Sequence, residues 1–255
     1  MMSTPGQKLI KAWGSMDTQK PPLVLPGDEA IRPLGDSITS DSFSRSEKIL
    51  TPDKRFLLNL IPQPFAGNIL TAKVYVLLLN PGFGLLDIFA EEQSKEFRRE
   101  LVKALSGNRQ LWGLNPKYYW TGGFGWISRK IRTLVETIGQ ERKWSIPKTL
   151  EFFSEHIAIL ELVPYHSSTF SLAKGTMDQL EFVRLIKNFL HEEIVPRARK
   201  GDCTIIVTRK SKDWELRTET NNVVIYQPSE ARAAHLSMNT RGGKAILSQL
   251  RKISS

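Results

Sequence analysis

Four short apolar runs constrain the fold of this chain more than any other feature. Residues 74–79, 157–163, 204–208 and 223–226 are rich in Val, Ile and Leu, and longer segments with helical periodicity separate most of them. Strands buried on both faces read as continuous apolar runs, and parallel strands need long crossover connections. The pattern therefore predicts an α/β fold, a three-layer α/β/α sandwich around a central four-stranded, mostly parallel sheet.

Helices are expected between and after these runs, over residues 92–106, 127–138, 176–195 and 243–251. The apolar residues of these segments recur at helical spacing. Gly139 is expected as the C-terminal cap of the second helix. Thr176 and Gln179 form a capping-box pair at the start of the third helix, and Pro196 is expected to end it.

The N-terminal part of the chain lacks either periodicity. Four prolines lie between positions 21 and 33, and a Ser/Asp-rich stretch covers residues 36–44. Such composition is typical of irregular structure. We therefore expect an N-terminal arm or lid over residues 1–53, followed by one domain over residues 54–255.

Composition narrows the classes of function. The single cysteine, Cys203, excludes an intramolecular disulfide and a cysteine-based zinc site, which favours a reducing compartment. Residues 1–13 lack the apolar core of a signal peptide, and no run of about 18 apolar residues occurs. These features predict a cytoplasmic protein that does not contact membrane. The net charge of +10 favours a polyanionic partner such as nucleic acid, although a merely basic protein is the alternative.

Ligand sites in open α/β sheets lie beyond the carboxyl ends of the strands. The first apolar run ends in Asn80, which the residues Pro-Gly-Phe-Gly follow. The proline stiffens this turn, and the glycines allow backbone to approach a ligand closely. Asn-Pro-Gly is also a common turn without function, so this motif alone leaves both interpretations open.

The longer context of this turn resembles a known family. Residues 60–67 (LIPQPFAG) and 72–82 (AKVYVLLLNPG) resemble the opening of the uracil-DNA glycosylase superfamily, whose mismatch-specific and single-strand-selective members carry a similar strand before Asn-Pro-Gly. The resemblance implies that Asn80 orients or activates the attacking water. It also implies that an aromatic side chain stacks on the flipped base, with Phe83 as the candidate and Phe89 as its alternative.

The second apolar run leads into a segment that resembles the family's second base-reading segment. Where the family commonly has an Asn that pairs with uracil, this chain has Glu161. An ionised carboxylate only accepts hydrogen bonds, so it suits the amine of cytosine or adenine better than the carbonyl of uracil. Alternatively, Glu161 faces away and pairs with an arginine, because a one-residue shift reverses its face. Tyr165 and His166 line the base pocket or cap the strand end.

The fourth run leads into Gln227-Pro-Ser229, which resembles the family's His-Pro-Ser core with Gln in place of His. In that role Gln227 donates one hydrogen bond to the departing base. His235 is the rival for this role; it is otherwise a phosphate or base contact, or an ordinary surface histidine.

The loop after this motif is basic and rich in small residues. We expect Ser229, Arg232, Arg241 and Lys244 to contact DNA, and the backbone of residues 242–243 to offer N–H groups to a phosphate. A solvated basic turn is the alternative. A further segment, residues 112–126, alternates aromatic residues with glycines and either stacks on bases or, as we favour, packs in the core.

The resemblance implies a monofunctional DNA glycosylase that flips a nucleotide and hydrolyses its glycosidic bond without metal or cofactor. Glu161 and the glycine-rich aromatic segment favour a cytosine enlarged at C5, as in hypermodified phage DNA, and hence a role in antiviral defence. The alternatives are a uracil-excising repair enzyme, a catalytically inactive DNA-binding relative and a nucleotide-processing enzyme. The expected partner is DNA, which would bring the protein to the nucleoid, and the expected state is a monomer without an obligate protein partner.

Overall fold

The computed structural model describes residues 3–41, 54–231 and 234–254, and a mostly parallel five-stranded sheet forms its centre. The strands are β1 (Gly35–Asp36), β2 (Phe56–Leu57), β3 (Phe65–Ala66), β4 (Val74–Leu78), β5 (Ile157–Glu161), β6 (Thr204–Val207) and β7 (Val223–Ile225). β1 and β2 pair with each other in parallel, and Leu57 of β2 also forms an isolated antiparallel bridge with His166. The other strands form the sheet in the order β3-β5-β4-β6-β7, in which β3 alone runs antiparallel to its neighbour.

The four predicted strands are confirmed as β4 to β7. Each begins at the predicted residue and ends one or two residues earlier than its apolar run. The parallel pairing aligns Val76 of β4 with Ile159 of β5 and Ile206 of β6. The fifth strand, β3, was not predicted, because two residues are too few to show an alternation pattern. The chain is thus a mixed α/β protein.

The helices, in chain order, are α1 (Pro5–Gly14), α2 (Leu85–Gln93), α3 (Lys95–Ala104), α4 (Gly122–Arg142), α5 (Ile146–His156), α6 (Lys174–Met177), α7 (Glu181–Phe189), α8 (Val195–Arg199), α9 (Pro228–Ala231) and α10 (Arg241–Arg251). α4 packs against α5 and α10, and α1 packs against α7. A π-helical turn (Leu190–Ile194) joins α7 to α8. Every residue of β5 and β6 is buried. Because successive side chains of a strand point to opposite faces, both faces of the sheet are covered.

Two predicted helix boundaries are wrong. The helix expected over residues 92–106 is confirmed as α3, but it begins at Lys95, because residues 92–93 end the separate helix α2. The Ser94 hydroxyl between the two helices accepts a hydrogen bond from Phe97 N. Gly139 does not end α4, which continues to Arg142 and ends where Lys143 adopts a left-handed conformation with φ 55°. Gly139 instead lies where a Cβ would be 3.1 Å from Thr149 Oγ1, so it lets α5 approach α4 closely.

The third predicted helix also differs. Thr176 lies within the short helix α6, and the main helix α7 begins only at Glu181, so the expected capping box does not form. Pro196 does not end the helical segment, because the π-helical turn precedes it and places it in the first turn of α8. In the first turn of a helix the backbone N–H groups have no intrahelical partner, so the missing N–H of a proline costs nothing there.

The N-terminal segment is not an extended arm. Residues 5–14 form α1, which the Thr4 hydroxyl caps. Six of the segment's side chains are buried in the same core as the sheet: Leu9, Trp13, Leu23, Val24, Leu25 and Ile31. Asp28 is fully buried and accepts hydrogen bonds from Tyr165 Oη (2.6 Å) and Phe182 N (3.0 Å). The rest of the predicted arm, residues 42–53, lies outside the described residues.

The chain connections define the position of the site. From β4 the chain crosses to β5 on one side, and from β5 it returns past β4 to β6 on the other side. Such a reversal opens a crevice beyond the carboxyl ends of the strands. Among the helices of residues 3–41, 54–231 and 234–254, none has the length and apolar character needed to cross a bilayer.

Candidate functional site

A cavity of about 500 Å³ opens at the carboxyl ends of β4, β5 and β6. Its lining includes the turn after β4, Glu161 at the end of β5, Arg209 after β6, and Trp126 on α4. The cavity therefore lies at the edge of the sheet where the sequence predicts a site, and it brings together residues from the first two predicted segments.

Asn80 lines this cavity and its amide has a fixed orientation. Nδ2 donates to Ser167 Oγ (2.9 Å) and to the carbonyl oxygens of Pro81 (3.1 Å) and Tyr165 (3.5 Å). Carbonyl oxygens only accept, so the nitrogen must face them. Oδ1 has no hydrogen-bond partner among the described residues and remains an acceptor for a ligand or water.

Glu161 also lines the cavity, but its state differs from the expected one. The side chain is buried, and Oε2 has no hydrogen-bond partner among the described residues. Burial raises the pKa of the Glu161 carboxyl well above its usual range, and the charge of Arg209 only partly opposes this. Burial thus favours the protonated form, which donates as well as accepts, whereas the sequence argument against uracil assumed an ionised carboxylate.

His166 lines the cavity, yet both ring nitrogens contact backbone. Nδ1 lies 2.9 Å from Gly82 O, and Nε2 lies 3.1 Å from Ile61 O. The ring thereby ties the turn after β4 to the segment before β3. Both ring nitrogens are occupied by backbone contacts, which agrees with His166 capping the strand end rather than binding a base.

Tyr165 does not line the cavity, which corrects its predicted role in base binding. Its side chain is buried, and its hydroxyl donates to Asp28 and accepts from Leu25 N (3.1 Å). The strand-end segment and the N-terminal segment are thus joined in the core. Tyr165 reaches the site only through its backbone oxygen, which contacts Asn80.

Aromatic side chains form part of the cavity wall. Phe83 lines it, half-buried, and packs against a small apolar cluster (Leu57, Leu60 and Ile88), whereas Phe89 is 49% exposed and lies outside the lining. Trp112 and Trp126 of the aromatic segment also line the cavity. Trp112 packs edge-on against Phe97, with ring centres 5.3 Å apart. The segment therefore contributes both to the core and to the site.

Asp87 was missed by the sequence analysis. It lines the cavity and accepts hydrogen bonds from the backbone N–H groups of Gly84, Gly122 and Gly123. Burial raises the pKa of its carboxyl. A Cβ on Gly122 would lie 2.6 Å from the carboxylate oxygens, so the glycine permits this contact. The position of Asp87 in the first turn of α2 was the available signal, and its role is to hold the starts of α2 and α4 together.

Three basic residues of the lining, Arg129, Lys130 and Arg209, were also missed. Arg129 and Lys130 lie in the middle of α4, where a helical pattern gives no indication of a cavity. Arg209, however, directly follows the third apolar run, so the strand-end rule would have found it had we applied it to that run.

The end of β7 does not deliver its predicted residues to the cavity. Gln227, Ser229 and His235 are exposed and lie outside the lining, although Ala234 belongs to it. Gln227 is therefore not placed to support a base leaving this cavity. Arg232 lies outside the described residues.

Arg241 forms a clamp at the end of β7. Its guanidinium contacts Glu219 (2.7 Å), Glu230 (2.6 Å) and the backbone oxygen of Ile225 (2.7 Å). Two carboxylates therefore compensate its charge, which corrects its predicted role as a phosphate contact. Gly243 N already donates to Thr240 Oγ1, whereas Lys244 is exposed and its contact with DNA stays a prediction.

The described ranges contain no group of three or more His, Cys, Asp or Glu placed to hold a metal ion. Comparison of the chain with protein-family models, with curated proteins and with solved structures finds no match.

Proposed function

We propose that this protein is a monofunctional DNA glycosylase with a fold like that of the uracil-DNA glycosylases. One observation carries the proposal: the adjacent parallel strands β4 and β5 deliver Asn80 and Glu161 into a single cavity with aromatic walls. These residues are the ones for which the family resemblance implies water positioning and base reading. The reversal of strand order beside β4 supports the same sheet arrangement.

The cavity is suited to an extruded nucleotide. Its volume of about 500 Å³ lies within the ~300–1,000 Å³ typical of small-molecule sites. Phe83, Trp112 and Trp126 offer aromatic surfaces on which a base can stack. Glycosylases take the target nucleotide out of the duplex into such a pocket.

The proposed base is a cytosine with an enlarged C5 substituent. A neutral Glu161 carboxyl can donate to N3 of cytosine through its hydroxyl and accept from the exocyclic amine through its carbonyl oxygen. The volume of the cavity leaves room for a substituent. Excision of such bases from phage DNA would give the protein a role in antiviral defence.

Uracil is the second candidate, because the raised pKa of Glu161 removes the objection that an ionised carboxylate poses. The same neutral carboxyl can donate to O4 of uracil and accept from its N3–H. With Glu161 protonated, its charge does not distinguish cytosine from uracil, so the C5 substituent must distinguish them.

The chemistry rests on positioning and on stabilisation of the leaving base. Oδ1 of Asn80 holds the attacking water, but a neutral amide is a poor base. The departing base leaves as an anion with the electrons of the glycosidic bond, and it takes up the proton that the attacking water loses. Since Gln227 and His235 lie outside the lining, the positive charges of Lys130 and Arg209 take over its stabilisation.

A base-release assay tests this proposal. Duplex and single-stranded DNA would carry cytosine, 5-hydroxymethylcytosine, its glucosylated form or uracil at one position, and mass spectrometry would detect the released base. We expect wild-type protein to release a C5-enlarged cytosine, Asn80→Ala to lose this activity and Gln227→Ala to retain it. Release of uracil alone would support the second candidate.

Two further outcomes would contradict a glycosylase. DNA binding without release of any of the four bases would favour a catalytically inactive relative. Cleavage of free nucleotides in preference to DNA would favour a nucleotide-processing enzyme.

Monofunctional action is tested separately with abasic DNA and borohydride. Lys130 is the only lysine among the described residues that line the cavity, so a Schiff base with the sugar would form there. We expect no trapped covalent adduct and an intact abasic strand. An adduct that Lys130→Gln abolishes, and that Lys11→Gln leaves, would show the enzyme to be bifunctional.

A further inference from the structure

A loop with an excess of positive charge follows β6, at the edge of the sheet where the cavity opens. This β6–β7 loop, residues 209–219, contains four basic and three acidic residues. Its first residue, Arg209, belongs to the cavity lining. Lys212 follows three positions later, so the two Cα atoms lie within about 11 Å of each other. The loop therefore lies beside the cavity.

The β6–β7 loop is anchored in the core. The Trp214 side chain is fully buried, and its Nε1 donates to Leu78 O at the end of β4 (3.0 Å). Trp214 O in turn contacts His191 Nε2 (2.9 Å). Within the loop, Leu216 N donates to Ser211 O (2.9 Å). These contacts fix the backbone of the loop relative to the strand that carries the proposed catalytic turn.

The charges of the loop are only partly paired. Each of its carboxylates forms an ion pair with a basic residue: Asp213 with Lys210 (3.6 Å), Glu215 with Lys187 (2.8 Å) and Glu219 with Arg241 (2.7 Å). Lys212 and Arg217 are exposed, and neither side chain has a hydrogen-bond or ion-pair partner among the described residues. The loop thus presents two cations that its own carboxylates do not compensate.

These two cations line one surface depression. Its volume is about 400 Å³, and Ser211 and Leu216 complete the described lining. A guanidinium group binds two phosphate oxygens in a forked geometry, lysine adds a compact charge, and a serine hydroxyl donates a further hydrogen bond. The described lining therefore combines two positive charges with several donors and contains no carboxylate, which suits an anion with several oxygens.

We infer that Ser211, Lys212 and Arg217 bind a backbone phosphate of the DNA strand outside the cavity. A strand whose nucleotide enters the cavity runs across this edge of the sheet. It carries one phosphate per ~3.4 Å of helix axis, so a phosphate comes close to the depression when the cavity is occupied. The inference adds a second binding site to the proposed function, and it rests on that function in taking DNA as the partner.

The salt dependence of DNA binding provides the first test. Fluorescence anisotropy would measure the affinity for a labelled duplex of unmodified DNA at several salt concentrations. We expect Lys212→Gln and Arg217→Gln each to lower the slope of log affinity against log salt by about one unit, and the double variant by about two. Lys210→Gln is the matched control, because Lys210 is exposed in the same loop but paired with Asp213. It should leave the slope nearly unchanged.

Neutral phosphates provide the second test. A tetrahydrofuran abasic analogue would mark the extruded nucleotide, and methylphosphonate would replace the neighbouring phosphates one at a time. We expect one replacement to weaken binding about tenfold in wild type and in Lys210→Gln. The same replacement should weaken Lys212→Gln and Arg217→Gln by less than about twofold, because the variant and the replacement remove the same contact. An equal penalty in all four proteins would overturn the site.

The outcomes separate this site from the glycosylase activity. Lower slopes in the Lys212 and Arg217 variants without base release support the phosphate site and contradict the glycosylase. Base release with unchanged slopes overturns the site and leaves the glycosylase. An equal loss of slope in Lys210→Gln also overturns it, since that result reflects net charge alone.

A free anion is the remaining alternative source of the phosphate. Calorimetry with inorganic phosphate would detect it. Binding of inorganic phosphate that Arg217→Gln abolishes, together with unchanged DNA slopes, would overturn the assignment of the site to DNA.

Discussion

The ends of β4 and β7 look alike in the sequence and differ in the structure. Each strand runs into a short motif with a proline and an amide side chain, Asn80 or Gln227. Asn80 lies in the cavity with three hydrogen-bond acceptors around its nitrogen, whereas Gln227 is exposed outside the lining. β4 is central and borders the reversal of strand order, whereas β7 is an edge strand two positions away from β4. The strand-end rule therefore depends on the position of the strand within the sheet.

The largest expected difference between the two ends is catalytic. Asn80→Ala should lower the single-turnover rate of base release by about 100-fold or more, because misplacement of the attacking water has effects of this size. Gln227→Ala should change the rate by less than about twofold, as expected for a side chain that does not contact the reaction. Equal losses in both variants would show that the end of β7 takes part in catalysis.

The glycines of the two ends should differ in their effect on stability. A Cβ on Gly243, at the start of α10, would lie 1.8 Å from the backbone oxygen of Ser237, whereas a Cβ on Gly82 would meet no atom within 4 Å. We expect Gly243→Ala to lower the free energy of unfolding by about 1–3 kcal/mol or more, and Gly82→Ala by less than about 0.5 kcal/mol. Urea denaturation measures both. If Gly82→Ala lowers the free energy of unfolding as much as Gly243→Ala does, the turn after β4 is sterically constrained as well.

Glu161 in the cavity and Glu230 at the end of β7 should give opposite pH dependence. The unfolded chain releases the Glu161 proton near pH 4.5, and the folded chain holds it to higher pH. Wild type should therefore lose stability relative to Glu161→Gln as the pH rises above 4.5, by up to ~1.4 kcal/mol per pH unit, until the folded pKa is reached. Denaturation at a series of pH values measures this slope.

Glu230 is the matched control for this experiment. Hydrogen bonding to Arg241 lowers the pKa of Glu230, so its ionised form stabilises the fold. That contribution is present above the unfolded pKa and is lost as the pH falls, so Glu230→Gln should cost more stability at pH 7 than at pH 3. The same sign of pH dependence for both variants would contradict the raised pKa of Glu161.

The smallest expected effect concerns two basic residues, Arg209 of the cavity and Arg241 at the end of β7. Arg241→Gln breaks contacts to Glu219 and Glu230 at a partly exposed site and should cost about 0.5–1 kcal/mol of stability, with little change in DNA affinity. Arg209→Gln should instead lower the salt dependence of DNA binding by about one unit of slope. Fluorescence anisotropy at several salt concentrations measures the slopes. A lower slope in Arg241→Gln would restore its role as a phosphate contact.

Much of the fold could be predicted because its signals are local. The apolar runs that became β4, β5 and β6 are buried on both faces in the structure, and that burial is what makes them continuous in the sequence. The N-terminal segment gave no such signal. Its buried side chains are spread among prolines, and Asp28 finds its partner Tyr165 at a separation of 137 residues. Residues that join the core in this way show no hydrophobic periodicity in the sequence, so their burial could not be predicted.

The sequence by itself determined the strands, the edge of the sheet at which the cavity opens, and the presence of Asn80 and Glu161 there, because strand direction and length are set by neighbouring residues. Only the tertiary structure decided that burial raises the pKa of Glu161, that Arg241 is compensated, that Tyr165 belongs to the core, and that Arg129, Lys130 and Arg209 line the cavity. Protonation and charge pairing depend on burial and on distances between residues far apart in the chain, and these arise only when the layers pack together.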